Sequence, residues 1–208
     1  MDEKLGKVGL IGRFKPLHKG GALLLEAVCS VSDQVIIGVG SANRYDVRNP
    51  FTAQESAEMV DAYLHERFGN YRIQTVPDFG HLPQYRDGSR WKQEVRDSFG
   101  SLDHFVTGNN YVAELLSDMY DVIHPAQLIP AEQQFPLRAT TVRYAMATKA
   151  PWESMVPQEV SWYIQTRGLD QRFRGEFGLE TIARHAGTAY WADDSAAEEQ
   201  QHVKGGEK

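Results

Sequence analysis

Short runs of apolar, strand-forming residues alternate along this chain with longer stretches of helical periodicity. Such a pattern belongs to successive βαβ units, in which parallel strands pair and the intervening helices cover the faces of the sheet. KVGLI (residues 7–11) is the first run and QVIIGVG (residues 34–40) the second. Both are apolar nearly throughout, as strands buried on both faces must be. Between them Ala22, Leu23, Leu24, Leu25, Ala27 and Val28 predict a helix over residues 20–31. Thr52 followed by Glu55 is a capping-box pair and predicts a helix from 53 to 68.

Further along, strands are expected at 72–76, 104–108 and 120–124, and helices at 91–99, 111–117, 140–147 and 157–166. The expectation is an α/β fold with a mostly parallel five-stranded sheet, about six helices, and a polar loop over 77–90. After Gly168 the periodicity weakens, and 193–208 is polar and Gly-ended, so a domain over 1–168 and an extension over 169–208 with a mobile end are expected.

A chain of 208 residues suits one domain with a modest appendage. Its net charge of −6 argues against a nucleic-acid surface, which needs clustered Lys and Arg, but leaves room for a local basic site binding a small anion. The single cysteine, Cys29, excludes an internal disulfide and reads as a buried small hydrophobe. The start MDEKLGK lacks an apolar leader core, no window approaches a membrane span, and a cytoplasmic location is expected. The seven histidines show no H-E-x-x-H spacing, so no metal ligands are assigned.

Ligands of open parallel sheets bind beyond the carboxyl ends of the strands. GRFKPLHKGG, Gly12 to Gly21, leaves the first strand there, carrying Arg13, Lys15, His18 and Lys19 as cationic donors around a helix start. Alone, it reads equally as a phosphate loop or as a solvated basic loop. A Walker loop is absent, and Asn43 replaces the third glycine of a dinucleotide fingerprint after Gly38-Val39-Gly40. Two more segments tip the balance: VRNPFTAQE, with Arg48 just before a helix, and RATTVR, where Thr140 can cap a helix and Arg143 sits one turn in.

Together these segments resemble the archaeal-type nicotinamide-nucleotide adenylyltransferases of the HIGH-type nucleotidyltransferase superfamily. GRFKPLHKGG is similar to the family's G-R-[FM]-Q-P-x-H-x-G-H, and GSANRYDVRNPFTAQES to G-S-[AS]-x(6)-R-[DN]-P-F-T-A-G-E-R. FVTGN is similar to a strand ending in S-G-N, and RATTVRYAM to [IY]-S-G-T-x-[IV]-R-x-x-[IM], in register from Val8 to about Ile164.

The resemblance implies a Rossmann-like three-layer domain with C-terminal helices, and transfer of AMP from ATP to nicotinamide mononucleotide with Mg²⁺ held through the ATP phosphates. It implies His18, Arg13 and Arg143 as the catalytic set, and an ATP site of Gly12, Arg13, His18, Gly21, Gly108, Asn109, Thr140 and Arg143. Arg48 and Trp91 are implied on the second-substrate side, although DGSRW differs from the family's context and Trp91 also reads as core packing. A homo-oligomer is implied too. Gly21 stands where the family has its second motif histidine, Ser56 where it has an arginine, and Arg138 where it has a serine. Weakened catalysis, a different phosphorylated substrate, and a nucleotide-binding relative without activity all follow as alternatives.

Overall fold

In a computed structural model, which describes residues 4–133 and 137–186, five parallel strands form one sheet. The strands are β1 (Lys7–Gly12), β2 (Gln34–Val39), β3 (Tyr71–Thr75), β4 (His104–Val106) and β5 (Asp121–Ile123). Their order is β3-β2-β1-β4-β5. This is the doubly wound arrangement, and the chain reverses its direction of travel across the sheet at β1, between β2 and β4. Val8 lies beside Val35 on one side and His104 on the other.

Seven α-helices lie among the described residues: α1 (Lys19–Val31), α2 (Ala53–Leu64), α3 (Ser89–Phe99), α4 (Asn110–Leu116), α5 (Ala139–Ala147), α6 (Gln158–Thr166) and α7 (Leu169–Ala186). Side chains alternate across the strands and divide the core in two. Val8, Leu10, Val35, Ile37 and Val106 point into the larger core with residues of α1, α2, α5, α6 and α7. Ile36 and Phe105 point the other way, against Val95 and Phe99 of α3 and Leu116 of α4. Cys29 is buried in the larger core, where burial and then the Glu26 carboxylate push its thiol up to about 12. It behaves as a small hydrophobe.

The sequence-based elements recur with ends displaced by a residue or two, as helix and strand ends usually are. The predicted 53–68 helix is shorter, because α2 ends at Leu64 and the following residues turn. Its capping box is present, with Glu55 N–H donating to Thr52 and Thr52 N–H to the Glu55 carboxylate. The largest difference comes after Gly168, where an 18-residue helix, α7, stands in place of weak pattern. Its buried positions, Leu169, Phe173, Gly178 and Thr181, include a glycine and a threonine, so hydrophobic periodicity misses it. The tail at 193–208 lies outside the described residues.

Candidate functional site

A cleft of about 510 Å³ opens beyond the carboxyl ends of β1, β2 and β4, at the point where the strand order reverses. Gly12 and Arg13 follow β1, Gly40 and Ser41 follow β2, and Thr107 and Asn109 follow β4. The polar loop expected over 77–90 closes one wall through Asp78, His81 and Tyr85, and Trp91 enters from the first turn of α3. Trp91 also packs against the smaller core, so both of its expected roles coexist.

A second cavity, about 190 Å³, lies between α5 and α7. Arg138, Thr140, Arg143, Arg184 and His185 line it, and Arg48 lines both cavities. Of the sequence-expected site residues, the cleft therefore collects Gly12, Arg13, Arg48, Trp91 and Asn109, and the smaller cavity Arg48, Thr140 and Arg143. His18, Gly21 and Gly108 line neither cavity. Gly108 faces His124 and Pro125, where an added Cβ would meet them at 3.6–3.7 Å.

The loop from Gly12 to Gly21 differs in character from a cluster of exposed cations. His18 is the N-cap of α1, and its Nδ1 accepts the Gly21 N–H at 3.2 Å. Burial, and then the charge of Arg143, push the imidazole down to about 4. The expected cationic His18 is thus neutral at pH 7. With Nδ1 accepting, Nε2 keeps the proton and remains a donor without charge.

Lys15 is also not a surface cation: it is 1% exposed, and its ammonium donates to the Ser41 carbonyl at 2.9 Å. Burial and the Arg13 charge push it down to about 8. The residues on either side of this link, Phe14 and Ser41, both have positive φ, 52° and 50°. Left-handed backbone at a non-glycine residue costs about 1–3 kcal/mol and collects at functional sites. Lys15 holds the two turns against each other.

Arg143 is buried and joins the first and third motifs, donating to the Lys15 carbonyl at 2.9 Å and to Thr140 Oγ1 at 3.4 Å. Thr140 is not the cap expected of it. The cap position is Arg138, whose side chain makes no capping bond, because α5 begins one residue earlier at Ala139. Asn109 does cap, its Oδ1 accepting from the Val112 N–H at the start of α4.

Sequence reasoning missed Asp46, which fixes the Arg48 loop. Its carboxylate accepts from the Arg44 side chain, from the Arg48 and Asn49 backbone N–H groups at 2.9 and 3.0 Å, and from the Asn49 amide. Burial alone would raise this carboxyl; the hydrogen bonds from Asn49 and Arg44 outweigh burial and hold it below the usual range. An Asp followed by Asn three residues on is a local turn signal that could have marked it. Arg184 and His185 carried no signal, lying past the last predicted helix.

A cleft at the switch point of a doubly wound sheet, next to a cavity of converging arginines, defines a nucleotide-binding α/β protein. A family model described as cytidylyltransferase-like matches residues 10–115, just over half of the chain. The nicotinamide-nucleotide adenylyltransferase of Thermococcus onnurineus is 36% identical over 164 residues, covering 77% of this chain and 83% of the relative. That of Pyrococcus horikoshii is 36% identical over 164 residues, covering 77% and 84%. The chain belongs to the nicotinamide-nucleotide adenylyltransferase family. In fold it is similar to a bifunctional NMN adenylyltransferase/ADP ribose pyrophosphatase from Francisella tularensis, solved with AMP and an Mn ion. That likeness has a TM-score of 0.65 at 16% identity and covers 90% of this chain and 57% of the other.

Proposed function

We propose that this protein transfers the adenylyl group of ATP to nicotinamide mononucleotide, giving NAD and pyrophosphate. The observation that carries this reading is Arg48, which lines both the large cleft and the small cationic cavity. Ligand pockets for small molecules run from about 300 to 1,000 Å³, so the cleft has room for nucleoside bodies and the smaller cavity for a compact anion. Arg48 spans the boundary, where a phosphate of one substrate must meet a phosphate of the other.

In the reaction an oxygen of the mononucleotide's 5′-phosphate attacks the α-phosphorus of ATP, the bond to the β-phosphate oxygen breaks, and pyrophosphate leaves. No nucleophile from the protein is needed, so the chain's work is alignment and stabilisation of charge. Arg13 and Arg48 take the phosphates at the cleft side, and Arg143 takes the departing β and γ phosphates. His18 donates from Nε2 as a neutral group. The Asn109 turn offers backbone groups to adenosine, and Trp91 offers a flat face to the nicotinamide ring.

Mg²⁺ fits as a companion of the nucleotide and not as a protein-held ion. Among the described residues no group of three or more His, Cys, Asp or Glu side chains is placed to hold a metal. Asp46, a carboxylate of the cleft, is already committed to Arg44 and Asn49. Mg²⁺ keeps phosphate oxygens and water as ligands, and when bound with ATP it supplies neutralisation of the polyphosphate charge.

Incubation with ATP and nicotinamide mononucleotide is expected to yield NAD and pyrophosphate in equal amounts. Binding of both substrates without NAD would overturn the reaction and leave a nucleotide-binding relative, the reading that the bare backbone at Gly21 favours. Pyrophosphate release only with another phosphorylated acceptor would overturn the substrate. No helix among the described residues is long and apolar enough to cross a membrane.

A further inference from the structure

Helix α7 is fastened at its beginning to the loop that carries Arg48 and at its end to the helix that carries Arg143. Arg172 pairs with both carboxylate oxygens of Glu55 and donates to the Pro50 carbonyl at 3.2 Å. Phe173 stacks on Phe51, and the Tyr45 hydroxyl donates to the Glu176 carboxylate. Three turns later His185 stacks on Tyr144 of α5, with ring centroids 3.8 Å apart. These two fastenings bring Arg184 and His185 into the lining of the small cavity with Arg48, Arg138 and Arg143.

Among the described residues, no aspartate or glutamate lines that cavity. Four arginines in about 190 Å³ make a confined field of one sign, and the guanidinium fork matches phosphate oxygens in pairs. Arg184 also pairs with Glu180 at 2.8 Å, where the two side chains are 39% and 51% exposed. An ion pair that open to water contributes little, so a polyphosphate displaces it at small cost.

We propose that α7 is part of the anion-binding machinery: Arg184 and His185 hold the terminal phosphates of ATP and the pyrophosphate product. The inference rests on the adenylyl-transfer reading and deepens it, because donors lost at Gly21 on α1 are replaced from the opposite end of the chain.

The test uses the full chain, with pyrophosphate titrated by calorimetry and both substrates varied in steady state. Arg184→Gln and His185→Ala are each expected to weaken pyrophosphate binding about tenfold and to raise KM for ATP by a similar factor, as loss of a hydrogen bond to a charged group does. KM for nicotinamide mononucleotide stays in place, and Arg184→Lys recovers part of the loss. A merely structural α7 would instead shift both KM values together with the melting temperature, and that result overturns the proposal. Wild-type ATP binding with an Arg184→Gln chain that takes pyrophosphate equally well sinks the α7 assignment alone. A wild-type chain that takes neither ATP nor pyrophosphate sinks the adenylyl-transfer reading with it.

Discussion

The two cavities that share Arg48 are built from different material. The large cleft is framed by strand ends, where a regular parallel sheet sets backbone positions, and its walls mix aromatic rings such as Trp91, Tyr85 and Phe105 with polar groups. The small cavity lies between two helices that meet late in the chain, and four of its ten lining residues are arginines. On the proposed reading, one accepts flat bodies and the other accepts charge. Catalysis by alignment needs both, since the body fixes position and the charge site takes the leaving group.

Four substitutions or conditions test that division. Arg143→Ala is expected to act most strongly: turnover, read as pyrophosphate release, falls by roughly 10²–10³, as when one preorganised donor is removed. It also leaves the Lys15 carbonyl without its partner, which costs about 1–3 kcal/mol in a urea titration. If KM for nicotinamide mononucleotide rises and turnover holds, the cavities are not divided as proposed.

Acidification comes next. Because folding depresses the His18 pKa from 6.5 to about 4, its contribution is complete above pH 6.5 and is lost as pH falls toward 4. The loss reaches roughly 3 kcal/mol, at about 1.36 kcal/mol for each pH unit of displacement. His18→Gln flattens that part of the stability profile; an unchanged profile means that His18 is not held neutral.

Gly21→His is expected to raise turnover by about 10² by restoring a donor. A Cβ at this position meets Leu17 Cδ1 at 3.2 Å and the His18 ring at 3.9–4.0 Å, so the new side chain lies beside His18 after a small shift of Leu17. A folded variant with unchanged turnover removes the donor explanation. The smallest effect belongs to the cleft: Trp91→Ala raises KM for nicotinamide mononucleotide roughly tenfold, the scale of one ring stack, and leaves ATP affinity in place. Trp91→Phe retains most of the affinity unless Trp91 only packs.

Much of this molecule is local enough to read from the chain. The βαβ alternation, the capping box at Thr52 and Glu55, and the placing of the first basic segment between β1 and α1 depend on neighbours within a few residues, and each recurs in the fold. Ionisation states do not. Whether His18 is charged depends on burial and on Arg143, which is far away in sequence, and Lys15 is committed to the Ser41 carbonyl 26 residues on. Helix α7 was illegible for a related reason. Its inward face sets Gly178 and Thr181 beside Leu169 and Phe173, and its fastenings, Phe173 on Phe51 and Arg172 on Glu55, 117 residues apart, join it to a distant part of the chain.

The class of the fold and the order of its basic segments are legible in the chain because periodicity, caps and turns act over short spans. Which cations share a cavity, which are buried, and which helix lines it beside Arg143 emerge only on folding. Those outcomes depend on desolvation and on Coulomb interactions between groups that the chain brings together only when folded.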